Sequence, residues 1–378
     1  LAAIGLIRAR QAPRIFVGPW LPFDHQRFDH RRAGVVPPLG VPIDAAGRQV
    51  LLQENTHKED THIRGTPMTK TLVLETTSPF QGLPELVAFN EGLFAREGLD
   101  VRWAERDEAG VKTVDAKLTD PAGVNPFASH GTLLESGRAD MYNACEWGNY
   151  CRVQDTAVGS RQVGRRGIVT YAAIVVPPHS PVYTPQQLAD RSVGVPFYAG
   201  THYLALHLLE GFLPREHIRI CRAPSGSRNR YNFMMSGEVD ATTLTEPYVS
   251  LAEKNGCRTI CSAFYHGTEV ASDRVDAETY AAFNRAVREA VRRIAADRRK
   301  YLQYFIDYHK AKDPEIGTLT LDDLRASRLV VCDPAPIPDD ELARTYDWVK
   351  SWGMLDKAAS PRALVNLDVQ RQAHVAAE

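Results

Sequence analysis

A chain of 378 residues is long enough for two domains, each with its own apolar core. Its 45 lysines and arginines balance 46 aspartates and glutamates for a net charge of −1, which gives no electrostatic reason to bind nucleic acid or an anionic membrane. No run of about 18 apolar residues occurs, so no membrane-spanning helix is expected.

Residues 1–67 carry Pro, Arg, His and Asp without a sustained period and read as an irregular leader. Residues 1–7 are apolar but too short for the core of a secretory signal, and no basic residue precedes them. Met68 directly precedes the first strand; the leader is either a real N-terminal arm or lies upstream of a native start at Met68, and the second is the favoured expectation. Read without an export signal, the chain belongs in the cytoplasm; a missing signal would place it in the periplasm.

Residues 71–76 form a short strand with Leu72, Val73 and Leu74. Thr76, Thr77 and Ser78 follow as a loop, Pro84 opens an amphipathic helix, and residues 99–103 return as a strand after Gly98. This is a βαβ unit. The hydroxyls at its helix start suit a carboxylate, sulfonate or phosphate, or simply cap the helix. Residues 107–125 read as a polar loop and 129–135 as a helix. Next comes Ser136-Gly137-Arg138-Ala139-Asp140, a short strand, and then Asn143-Ala144-Cys145-Glu146-Trp147. Trp147 is suited to stack on a flat ligand and Glu146 to accept hydrogen bonds from a nitrogen base or cation. The alternative is a core tryptophan and a solvated carboxylate.

The β-branched run 167–177 is expected to cross between two lobes. Thr184-Pro185-Gln186-Gln187 is a capping box with proline at the first helical position. Strand 193–195 leads into Tyr198, Gly200, Thr201 and His202, where a helix starts. His202 and His207 are five apart and do not share a helix face, so they are not read as a metal clasp. Arg228 and Arg230, in the loop 224–230, are within reach of an anion, with solvent exposure as the default. Ser236-Gly237-Glu238-Val239-Asp240 then repeats the earlier unit, followed by strand 239–244 and by Thr245-Glu246-Pro247-Tyr248. Thr245 is expected as N-cap there, with Pro247 near the first helical position. Helices are expected over 276–299, 301–308 and 339–352, with Gly353 at the last stop. The run Arg298-Arg299-Lys300 reads as a solvated helix face. The six cysteines form no Cys-x-x-Cys pair or disulfide framework, which fits a reducing compartment. Cys145 and Cys151 lack further ligands nearby, so neither metal nor cofactor is expected.

The two Ser-Gly-x-x-Asp units, Phe89-Asn90-Glu91-Gly92-Leu93-Phe94-Ala95-Arg96-Glu97-Gly98-Leu99-Asp100-Val101, and the run from Tyr183 through Thr184-Pro185-Gln186-Gln187 to Val195 together carry a family likeness. Over roughly residues 70 to 350 the chain resembles the type II periplasmic-binding-protein superfamily. The likeness is to its branch of sulfonate, nitrate and thiamine-precursor binding proteins (SsuA/THI5/NMT1-like). The resemblance implies an α/β fold of two lobes, each a mostly parallel sheet flanked by helices, with a ligand cleft between them. Lobe 1 would be 68–166 plus 270–378 and lobe 2 would be 167–269, with hinges near 165–170 and 262–275. It also implies a small-molecule ligand, an ABC importer permease as partner, and ligand contacts from Thr76, Thr77, Ser78, Asn143, Glu146, Trp147, Tyr198, Gly200, Thr201, His202, Glu246 and Tyr248.

Relatives of this branch also include cytoplasmic enzymes, among them aromatic sulfinate desulfinases and thiamine-pyrimidine synthases. The desulfinases carry their cysteine after the first strand, where this chain has Thr77-Ser78-Pro79-Phe80. The cysteine-rich run of the yeast synthases is missing. Cys145, with Glu146 and His202, is the remaining catalytic candidate. A cytosolic ligand sensor is a third reading. The glutamates and aromatics lean toward a nitrogen-containing ring or zwitterion, and the hydroxyls toward an acidic group.

Overall fold

The computed structural model describes residues 69–104, 127, 130–156, 158–355 and 360–375. The leader and the polar stretch 107–125 lie outside the described residues. In chain order the first elements are β1 (Lys70–Glu75), α1 (Pro79–Asn90), α2 (Leu93–Arg96), β2 (Leu99–Ala104), α3 (Thr132–Glu135), β3 (Met141–Cys145), α4 (Glu146–Gln154) and β4 (Arg161–Val176). Then come β5 (Ser192–Val195), α5 (Gly200–Glu210), β6 (Arg219–Arg222), α6 (Ser227–Met235), β7 (Ala241–Thr245), α7 (Tyr248–Lys254) and β8 (Arg258–Ala271). The last are α8 (Ala277–Ala296), α9 (Arg298–Lys310), β9 (Val330–Val331), α10 (Asp339–Ser351) and α11 (Leu367–Val375).

The strands form one mixed sheet in the order β2-β1-β3-β8-β4-β7-β5-β6, with β9 added to β4. Its two ends are alike. In each, the first strand lies between the second and third of its group, all parallel: β2-β1-β3 at one end and β6-β5-β7 at the other. The long antiparallel pair β4–β8 joins them. The repeated Ser-Gly-x-x-Asp unit explains the match. Gly137 and Gly237 close the preceding helices with φ of 72° and 81°, a conformation that costs glycine little. Three residues on, each aspartate staples the first strand of its group. Asp140 Oδ2 accepts from Val73 N at 2.8 Å, and Asp240 Oδ2 accepts from Ser192 N at 2.8 Å.

Several boundaries differ from expectation. The first helix begins at Pro79 and holds Pro84 inside, kinked at Gly82, because Pro79 already supplies the fixed φ of a first helical position. β4 begins at Arg161, six residues early; the polar run 161–166 hides a strand whose Gln162 and Arg166 are buried. β8 runs on through much of the stretch expected as a hinge. The helix expected to reach residue 299 stops at Ala296. Asp297 leaves the helical conformation (φ −144°), and its carboxylate caps the next helix through Lys300 N at 3.1 Å. Thr245 ends β7 instead of capping a helix, and Pro247 takes the N-cap position of α7.

The α8 stripe Phe283, Val287, Val291 and Ile294 is buried as its spacing predicts. Each such side chain contributes about 1.5–3 kcal/mol on leaving water. It packs with α1 and α9, while α4, α5 and α10 surround a second apolar cluster.

Candidate functional site

Five strands of the two parallel groups end around one cavity of about 300 Å³. Its walls come from the residues that follow them: Ser78, Phe80 and Gln81 after β1, Cys145 at the end of β3, and Pro196, Ala199, Gly200 and Thr201 after β5. Ser225 to Ser227 follow β6, and Thr245, Glu246 and Tyr248 follow β7. Carboxyl ends of parallel strands are where open α/β sheets bind ligands.

The same geometry starts four helices at the cavity: α1, α4, α5 and α6. Their N-cap residues Ser78, Cys145, Ala199 and Gly226 all line it. Only Cys145 among these makes a side-chain cap, its Sγ accepting from Gly148 N at 3.2 Å. The positive ends of these helix dipoles favour negative charge. Gly200 is needed at its place, since a Cβ there would sit 2.6 Å from the Tyr265 ring, which forms another part of the wall.

Arg230 is the charged group that defines the cavity. It is only 4% exposed. Nε donates to Thr243 O at 2.8 Å and Nη2 to Ser227 Oγ at 3.0 Å. No carboxylate among the described residues pairs with it. Burial pushes its pKa down to about 10, the mark of a cation held without a counter-charge. Thr201, on the α5 side, has a buried hydroxyl with no hydrogen-bond partner among the described residues. Glu246 is compensated: Arg328 Nη1 donates to Oε1 at 2.9 Å and Ser250 N to Oε2 at 3.2 Å. Burial raises its pKa against the pull of Arg328. Burial likewise raises the Cys145 thiol despite nearby Arg152.

Of the residues singled out from sequence, Ser78, Gly200, Thr201, Arg230, Glu246, Tyr248 and Cys145 line the cavity. The others do not. Thr76 joins the strand ladder through its N–H to Ala104 O. Thr77 and Asn143 are bound to each other at 3.2 Å behind Gln81. Glu146 turns to Arg165 at 3.0 Å and accepts from Tyr150 at 2.9 Å. Trp147 packs among Tyr203, Tyr265, His207 and Trp348 and lines a separate recess. Tyr198 N donates to His202 Nδ1 at 3.2 Å, and burial lowers the His202 pKa to about 3. Cys145, Glu146 and His202 therefore do not meet as a nucleophile with its acid and base.

Sequence reading put Arg230 with Arg228 within reach of an anion but with exposure as the default, whereas Arg230 is buried at the cavity; it passed over Ser227, Tyr265 and His309. The usable signal was the β6-loop-helix context, since a loop after a parallel strand opens on the cleft. Arg228, two residues earlier, is instead paired with Asp313 and Glu315.

No protein-family model and no curated protein matches the chain. Solved structures do. Parallel groups of 2-1-3 order joined by a long antiparallel pair define the class: this is the fold of type II periplasmic binding proteins, as in SsuA-type sulfonate-binding structures. The aliphatic sulphonate binding protein SsuA of Escherichia coli is 15% identical with a TM-score of 0.59, covering 80% of this chain and 99% of its own. The alkanesulfonate-binding SsuA of Xanthomonas axonopodis pv. citri, bound to MOPS, is 15% identical with a TM-score of 0.56, covering 82% and 98%. A variant of the enzyme DSZB in complex with biphenyl-2-sulfinic acid is 15% identical with a TM-score of 0.52, covering 82% and 99%. At these identities the likeness is one of fold. No described helix is long and apolar enough to cross a membrane.

Proposed function

We propose that the chain binds a small organic anion with an apolar body in this cavity. The binding site would lie between lobes at 68–166 plus 270–378 and 167–269. The observation that carries the reading is Arg230, a buried guanidinium facing the cavity with no acidic partner among the described residues. Four helix N-termini add to its field. Phe80, Tyr248 and Tyr265 supply apolar surface for the rest of the ligand. Sulfonates and sulfinates are the classes that the fold neighbours favour. The role would be that of an importer's binding component, with an ABC permease as partner and a periplasmic location.

A catalytic reading rests on Cys145, whose residue lines the same cavity. The raised thiol pKa, and the engagement of Glu146 with Arg165 and of His202 with Tyr198 N, give it less support. Ligand-observed NMR separates the two. The chain is mixed with sulfonates, sulfinates, carboxylates, amino acids and pyrimidines and followed for hours. Broadening of an anion whose signals persist supports binding. New product signals would replace the binding reading with an enzymatic one, and broadening confined to neutral or cationic compounds would refute the anion site.

A further inference from the structure

Residues 311–329, between α9 and β9, lie across the α6–α7 side of the cavity and are fastened there by charge. Arg228 on α6 grips Asp313 with two bonds of 2.5 Å and reaches Glu315 at 2.8 Å. Asn255 donates to Glu315 at 2.7 Å. Lys254, at the end of α7, holds Asp323 and Thr318 O, both at 2.9 Å. Arg328 closes the strap on Glu246 at 2.9 Å and Glu253 at 2.7 Å. Ile316, Leu319, Leu324 and Leu329 bury its apolar side.

The strap is rooted in α9. On α9, Tyr301 donates to Glu91 at 2.9 Å and Tyr304 accepts from Asn90 at 3.3 Å, tying it to the end of α1, whose first turn lines the cavity. The fastenings sit directly behind lining residues. Arg228 lies between Ser227 and Arg230, and Asp313 N donates to the carbonyl of His309 at 2.9 Å. The His309 and Tyr248 rings meet across this seam with centroids 5.4 Å apart.

We infer that residues 311–329 are an electrostatic clasp that holds the α6–α7 wall against the α1–α9 wall, and that its release at Arg228–Asp313 admits molecules to the cavity. The outer pairs are the weak end, because Glu315 and Lys254 are well exposed and open to screening by salt. The inner Arg328–Glu246 pair is nearly dry and stays as the pivot. Burial opposes ionisation of Asp313, yet Arg228 and Tyr248 hold its pKa below the usual carboxylate range, so the clasp stays charged at neutral pH.

Cys145 in the cavity wall reports opening without any ligand, so the test is separate from the binding reading. The full chain is treated with methyl methanethiosulfonate, and each cysteine is followed by peptide mass spectrometry. Asp313→Asn is expected to speed Cys145 modification at least tenfold while Cys151, which does not line the cavity and is buried against the Tyr203 hydroxyl and the Met354 carbonyl, stays slow. The reversed pair, Arg228→Asp with Asp313→Arg, is expected to restore the slow rate. The unsubstituted chain provides a second route: raising salt from about 0.05 to about 0.5 M is expected to speed Cys145 alone. An unchanged Cys145 rate in both the variant and high salt would overturn the clasp. So would equal acceleration of Cys145 and Cys151, which marks general loosening.

Discussion

Replacing Arg230 with methionine separates a functional cation from a structural one. The fall in its pKa to about 10 corresponds to about 3 kcal/mol spent holding the charge in the wall. Methionine keeps much of the volume and removes that cost. It also leaves Thr243 O and Ser227 Oγ without their donor, a loss of about 1–3 kcal/mol. The two nearly cancel, so the variant is expected to unfold in urea within about 1 kcal/mol of the native chain. Affinity for an anion has no such compensation. Loss of a buried charge-assisted contact worth about 3 kcal/mol weakens binding roughly a hundredfold. Titration calorimetry with benzenesulfonate, alongside urea unfolding, reads both quantities. Unchanged affinity would refute the role given to Arg230. A stability loss above about 3 kcal/mol would show that its charge is an internal support.

Arg328 gives the contrasting case. Arg328→Met strands Glu246 and Glu253 and is expected to cost about 3–5 kcal/mol in urea unfolding, whereas adding Glu246→Gln should recover part of that loss; full additivity would contradict the pairing. The folded chain keeps His202 neutral down to about pH 3, while the unfolded imidazole takes a proton below about pH 6.5. Stability from this residue is therefore flat above that pH and falls below it by up to about 1.4 kcal/mol per pH unit; His202→Asn should flatten the decline between pH 6.5 and 4, and an unaltered slope would contradict the burial argument. Gly137→Ala and Gly237→Ala meet no atom within 4 Å, so each should cost only the backbone penalty of about 1 kcal/mol, and clearly unequal losses in thermal unfolding would break the equivalence of the two turns.

Much of the fold was legible because it is written twice. Ser-Gly-x-x-Asp sets a glycine turn and an aspartate staple in both parallel groups, and local chemistry of that kind survives in sequence. The long central strands were harder. Residues 161–166 look like a charged loop, and only tertiary contacts, pairing with β8 and Tyr280 and His374 packed near Gly164, make them a strand interior. Site residues divide along the same line. Ser78, Gly200, Thr201 and Tyr248 sit at strand-to-helix turns whose position fixes their direction. The neighbours Glu146 and Trp147 follow the right strand but point elsewhere, because one helical residue turns a side chain by about 100°. Arg230 and Arg228 show the limit most plainly. They are two residues apart and chemically the same, and only tertiary contact with Asp313 decides which one keeps a free charge.

The most direct test is a crystal structure of the full chain with a bromine-labelled aryl sulfonate. The bromine signal is expected between Phe80, Tyr248 and Tyr265, with sulfonate oxygens in hydrogen-bond reach of Arg230 Nη1 and Thr201 Oγ1. A signal in the recess of Trp147, His207 and Trp348, or a sulfonate turned away from Arg230, would contradict it.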